Sequence, residues 1–130
     1  MAIRIVRLGS ERMEGEGLRI GTVRRPPRGL SKAEIAARGF YDVWLPELAP
    51  SEALLKEARA GAQADEKRWQ RFARRYRAEM GKPEKKRLLE LLAALSRQTD
   101  FSVGCYCADE RRCHRSLLRD LLSDCGAVLA

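Results

Sequence analysis

Apolar and polar positions along this chain of 130 residues fall into short segments of two periods. Runs of strand length, alternating or continuously apolar, occupy residues 2–8, 18–24 and 101–106. Gly21 interrupts the second and predicts a bulge or a close backbone approach. Pro26 and Pro27 cannot continue a ladder, because proline lacks the donor. Helical period appears between these runs. Ser31 followed by Glu34 is a capping-box pattern, and Gly39 suits the residue just past the end of that short helix. Residues 40–48 are apolar and aromatic and predict no single element. Ser51 then caps a helix that the Ala-Gly-Ala at 60–62 ends, with Glu52 near the positive end of its dipole.

The strongest helix covers residues 65–80, where Trp69, Phe72, Ala73, Tyr76 and Met80 make one stripe. Gly81 closes it, and Pro83 fits the first turn of the next. That helix, over 84–97, has Leu88, Leu91, Leu92 and Leu95 as its expected inner side. The last helix covers 112–124, with Leu117, Leu118, Leu121 and Leu122 inward. Gly126 stops it, and residues 127–129 can add a terminal strand.

Strands separated by helices predict a single α/β domain with a small, partly parallel sheet flanked by helices. In such sheets ligands collect at the carboxyl ends of the strands and the N-termini of the helices that follow. The loop from Cys107 to Arg115 is in that position.

Size and charge refine this picture. A chain of this length buries roughly 65–70% of its unfolded surface, enough for one core. No apolar run reaches the ~20 residues needed to cross a membrane, so no membrane partner is expected. The first residues enter a strand directly, without the apolar core of a signal peptide, which predicts a cytoplasmic location. Four cysteines are then expected as thiols or ligands and not as structural disulfides. The net charge is +8, and residues 65–87 carry 10 Lys/Arg against 4 Asp/Glu. A basic balance favours anionic partners and says nothing about fold.

The chemistry concentrates in residues 101–122, which hold three of the four cysteines and the single histidine. Four readings arise there. Arg111, Arg112 and Arg115 near a helix start suit an anion. Cys105 and Arg111 also keep a C-x5-R spacing, although this loop lacks the glycines of oxyanion-cradling loops and carries Asp109 and Glu110. Cys113 at the helix start, or Cys107 at the strand end, suits a nucleophilic or redox thiol activated by His114 and arginine. Cys105, Cys107, Cys113 and His114 have the residue types for zinc. Structural zinc, however, prefers a wider C-x2–4-C spacing, and adjacent Cys113 and His114 are awkward ligands. No metal and no cofactor are therefore assigned. The fourth reading is packing, the common fate of cysteine, which fits Cys105 and Cys125 best.

Four motifs resemble the domain of unknown function 488 family. They are C-A-D/E…C-H-R at Cys107-Ala108-Asp109 and Cys113-His114-Arg115, and a V-D-R-L-W-P-R-G-L-like segment at residues 23–30. The others are W-L-x-x-L-A-P-S at residues 44–51 and W-x-x-F-x-x-x-Y-x-x-E at Trp69, Phe72, Tyr76 and Glu79. They occur in the family's order across most of the chain. The resemblance implies a small single-domain α/β protein and carries no settled activity. Where the family's second motif has Asp and Trp, this chain has Val23 and Pro26, so a carboxylate is missing at that place.

If the second and third strands are parallel neighbours, Arg24 and Arg28 converge with His114 and Arg115 on one crevice. The expectation is an anion-binding pocket for a phosphate, nucleotide or carboxylate, with Arg24, Arg28, Arg111 and Arg115 holding the ligand. If it is catalytic, a thiolate of Cys107 or Cys113 attacks, with His114 as general base. A nucleic-acid module using the basic helix at 65–87 is the alternative. A structural or interaction protein using residues 40–48 comes third.

Overall fold

A computed structural model describes residues 1–58, 65–107 and 113–130. In chain order its elements are β1 (Ile3–Arg7), β2 (Leu18–Gly21), α1 (Lys32–Ala37), β3 (Val43–Trp44) and α2 (Glu52–Glu57). After them come α3 (Glu66–Met80), α4 (Pro83–Ser96), β4 (Phe101–Cys105) and α5 (His114–Asp124). The sheet order is β1-β4-β2-β3. All three pairings are parallel, so the described sheet is wholly parallel. A single parallel bridge from Ile3 to Leu129 adds the chain end beside β1.

Residues that pair across the sheet explain this order. Every residue of β4 is buried, as a strand covered on both faces requires. Gly104 meets that demand at the tightest place: a Cβ there would stand 2.3 Å from the Val6 carbonyl oxygen of β1. Gly21, expected as a bulge or a close approach, is the latter, because a Cβ would meet the Tyr41 ring at 2.4 Å. β2 stops at Gly21, short of the expected residue 24, as the chain turns toward the two prolines.

The capping expectations hold in detail. Ser31 and Glu34 form the complete capping box of α1, and Gly39 follows its end with φ +76°. Ser51 caps α2, and Glu79 of α3 accepts from the Ser51 backbone N–H at 3.0 Å, tying the two helices together. The expected end of α2 at 60–62 lies outside the described residues. Residues 40–48 resolve into the two-residue edge strand β3 and a 3₁₀ turn at Pro46–Leu48.

The core between sheet and helices contains Phe72, Tyr76 and Met80 of α3, so that stripe is core as expected. On α4 the expectation needs correction. Leu89, Leu92, Ala93 and Ser96 are buried, whereas Leu91 is 54% exposed and Leu95 40%. Adjacent leucine pairs (Leu88-Leu89, Leu91-Leu92) let two stripes one residue apart satisfy the same period, and packing against the sheet selected the second. On α5, Leu117, Leu118 and Leu122 point inward. A second, smaller cluster at the carboxyl end of the sheet joins Leu8, Val23, Ile35 and Tyr41 to Cys105 and Cys113. Among the described residues no helix is long and apolar enough to cross a membrane.

Candidate functional site

The register pairs Gly21 of β2 with Gly104 of β4. The residues after each strand therefore leave the sheet side by side, at the carboxyl end where open α/β sheets bind ligands. They enclose a cavity of 180 Å³ together with Pro50, Leu55 and His114. Its surface is mainly apolar, with Val23, Pro50, Leu55 and Tyr106 in the lining. Arg24, Cys105, Cys107 and His114 supply its chemistry.

His114 opens α5 and is buried. Its Nε2 lies 2.8 Å from the Thr22 carbonyl oxygen and 3.4 Å from Thr22 Oγ1. A carbonyl only accepts, so Nε2 carries the proton and Nδ1 keeps its lone pair. Burial pushes the imidazole down to about 4, against the opposing pull of the Thr22 carbonyl and the Cys107 thiol. The ring is thus neutral near pH 7. Nδ1 stands 3.7 Å from Cys113 Sγ. The Tyr76 ring braces the imidazole at a centroid distance of 5.7 Å, while its hydroxyl donates to the Leu48 carbonyl.

Three thiols meet beside this ring. Cys105 ends β4 and Cys113 caps α5. Their sulfurs are 2.7 Å apart. Cys107, half-buried, lies two residues beyond Cys105 and lines the cavity with it. Hydrogen bonds from the Cys105 and Cys113 thiols hold the Cys107 thiol far below its ordinary range. Burial opposes this, and the charge of Arg115 adds to it. Cys105, the donor in this set, is pushed up by its bonds to Cys107 and Cys113 and by burial. Cys113 is intermediate, raised to about 11: its contact with Cys105 lowers it, while its bond to Cys107 and burial raise it. Of the three thiols, Cys107 is the one whose ionisation these contacts favour.

The arginines separate into two roles. Arg115 is buried and donates from Nη2 to the Cys107 carbonyl, while its Nε finds no partner among the described residues. Arg24 donates from Nε to the Pro50 carbonyl at 3.0 Å and from Nη2 to the Ala49 carbonyl at 3.1 Å. Its Nη1 has no partner among the described residues. Arg25, at the rim, is held by Glu52 in a two-pronged pair. Arg28 is exposed and lies outside the cavity lining. Arg111, with Arg112, Asp109 and Glu110, lies outside the described residues. The crevice thus gathers Arg24, Cys107 and His114 in its lining, with Arg115 buried behind Cys107, and does not gather Arg28.

Cys105, Cys113 and His114 also have donor atoms within 4.8 Å of one another, and their types suit zinc. Their spacing suits it less. Two thiolates on one tetrahedral zinc, each at about 2.3 Å, stand roughly 3.8 Å apart. The sulfurs here are 2.7 Å apart and would have to separate to admit the ion.

Cys105 packs in the buried cluster as expected and also meets Cys113; side chains two apart on a strand share a face, which joins it to Cys107. Tyr76 is core as expected and also braces the His114 ring. Thr22 carried no signal at all, because its role rests on a carbonyl presented to a residue 92 positions away.

Comparison with known proteins agrees with the motifs. The model of the family DUF488-N3a, described as "Active DUF488-N3 subclade", matches residues 3–126. No curated protein and no solved structure matches the chain. A match over nearly the whole length means that the chain belongs to the DUF488 family, in its N3a subclade.

Proposed function

We propose that this protein acts on a small molecule bearing an anionic group, using the Cys107 thiol as nucleophile in the strand-end cavity. The observation that carries this reading is the placement of Cys107: it lines the cavity, half-buried, beside the fully buried Cys105 and Cys113, whose contacts favour its thiolate. A thiolate is the reactive form of cysteine, and such an arrangement keeps it ionised near neutral pH. The family description, with the word "Active", is consistent with a catalytic member.

Size and lining limit the ligand. A dry cavity of about 150 Å³ holds one benzene ring. A space of 180 Å³ with mainly apolar walls suits a single ring or a short chain. The Nη1 of Arg24, without a partner among the described residues, can donate to a carboxylate or phosphate on that body. Cys107 then attacks an electrophilic carbon. A carbon–sulfur bond forms, and the bond to the leaving group breaks with its electron pair.

Iodoacetamide labelling with peptide mapping tests this. Cys107 is expected to label rapidly at about pH 6, far below the ordinary thiol range, and to be protected by phosphate or a small aromatic carboxylate. Slow labelling that rises only near pH 8.5 would remove the thiolate reading.

A second reading has one observation in its favour. Lys67, Arg71 and Arg74 are exposed on α3, and none has an ion-pair partner among the described residues. Nucleic acid bound there should be released steeply by salt. Arg75 and Arg77 on the same helix are paired with Glu57 and Asp120, which shortens the basic stripe.

A further inference from the structure

Cys105 and Cys113 come from different elements, are both buried, and bring their sulfurs to 2.7 Å. A disulfide bond between them needs a further approach to about 2.05 Å. The same two thiols are the hydrogen-bond donors to Cys107. We propose that Cys105 and Cys113 are a redox pair whose disulfide switches the Cys107 site off. The proposal rests on the thiolate reading above and adds its regulation.

The logic is one of proton count. Each thiol carries one proton to donate. A disulfide has none, so its formation removes both donors to Cys107 at once. What remains around Cys107 is burial, which disfavours the thiolate, against the cation of Arg115 and the neutral ring of His114. Cys107 then reverts toward an ordinary thiol.

The route into a buried pair runs through Cys107, the most accessible of the three. The oxidant is a low-molecular-weight disulfide, RSSR. The Cys107 thiolate attacks one of its sulfurs, a mixed disulfide forms, and RS⁻ leaves with the electron pair. Cys113 gives its proton to His114 Nδ1, 3.7 Å away. It then attacks the Cys107 sulfur and displaces the second RS⁻. Cys105 gives up its proton and attacks the Cys113 sulfur, so that the Cys105–Cys113 bond forms and the Cys107 thiolate is released. Two thiols are oxidised, one RSSR is reduced, and the two protons end on two RSH.

The test uses the full chain, reduced and then equilibrated with oxidised glutathione. Mapping is expected to show a Cys105–Cys113 disulfide. Iodoacetamide labelling of Cys107 at about pH 6 is expected to fall at least ~tenfold, the change in thiolate fraction for each unit of pKa, and to recover with dithiothreitol. Cys107→Ser is expected to slow formation of the pair's disulfide by a similar factor, because it removes the first acceptor. If Cys107 labels rapidly and no Cys105–Cys113 disulfide forms, the switch is overturned and the thiolate reading stands. If the disulfide forms and labelling is unchanged, the switch is likewise overturned. If Cys107 of the reduced chain labels no faster than Cys125, the thiolate reading falls and the switch with it.

Discussion

His114 Nε2 lies 2.8 Å from the carbonyl oxygen of Thr22, across 92 residues of chain. This bond joins the start of α5 to the end of β2 and settles which imidazole nitrogen carries the proton. It also makes the histidine a sensor of acid. The buried ring is held to about 4, whereas an unfolded chain returns it to about 6.5. The folded pKa is lowered, so the unfolded state binds more protons between these values. Stability contributed by the neutral ring is complete above about pH 6.5 and is lost as pH falls toward about 4. The full loss is on the order of 3 kcal/mol. Urea midpoints measured from pH 4.5 to 7 should show this slope, and His114→Gln should flatten it while lowering stability at pH 7 by about 1–3 kcal/mol.

Arg115 ties the same helix to the cysteine loop. Its Nη2 donates to the Cys107 carbonyl in a buried setting. Arg115→Met removes that donor and the cation beside the thiol. A loss of about 1.5–3 kcal/mol is expected, as for other hydrogen bonds to charged groups. Cys107 should also label more slowly at about pH 6, because a charge that favours the thiolate is gone. Denaturation and alkylation on one sample check both. Lost stability with unchanged labelling would leave Arg115 a purely structural role.

Gly104 is a place where backbone leaves no choice. The Cβ of Gly104→Ala would stand 2.3 Å from the Val6 carbonyl oxygen, and the β1–β4 ladder must shift to admit it. We expect a loss of at least about 3 kcal/mol, or a chain that does not fold, since over-packing alone costs about 1–3. Gly15→Ala is the control. It has φ +75° but nothing within 4 Å, so it should lose only about 1–2 kcal/mol. Thermal melts of the two variants give the comparison.

The burial on α4 makes a sharper test than its sequence. Leu92 is 4% exposed and Leu91 54%. Leu92→Ala should cost about 2–5 kcal/mol, the usual range for a buried leucine, and Leu91→Ala within about 0.5. Equal losses in urea melts would mean that Leu91 is covered in solution.

Much of this protein is legible one residue at a time. Ser31 with Glu34, Ser51 and Gly39 mark helix ends because capping chemistry acts over three or four residues. Trp69, Phe72, Tyr76 and Met80 mark a core face because the helical period repeats within one element. Cys107, Cys113 and His114 stand out because so much of the chain's soft and titratable chemistry falls in one loop. The motifs carried the family for the same reason, as they are strings of neighbours.

Tertiary structure decided what depends on distance through space. It chose between two leucine stripes on α4 that share a period. It brought Gly21 beside Gly104, and with them Arg24 beside Cys107, while leaving Arg28 in solvent. It also set Cys105 against Cys113 and gave His114 the Thr22 carbonyl. Hydrogen bonds, burial and thiol ionisation all act over a few ångströms, and no spacing along a chain reports which strands the sheet will place side by side.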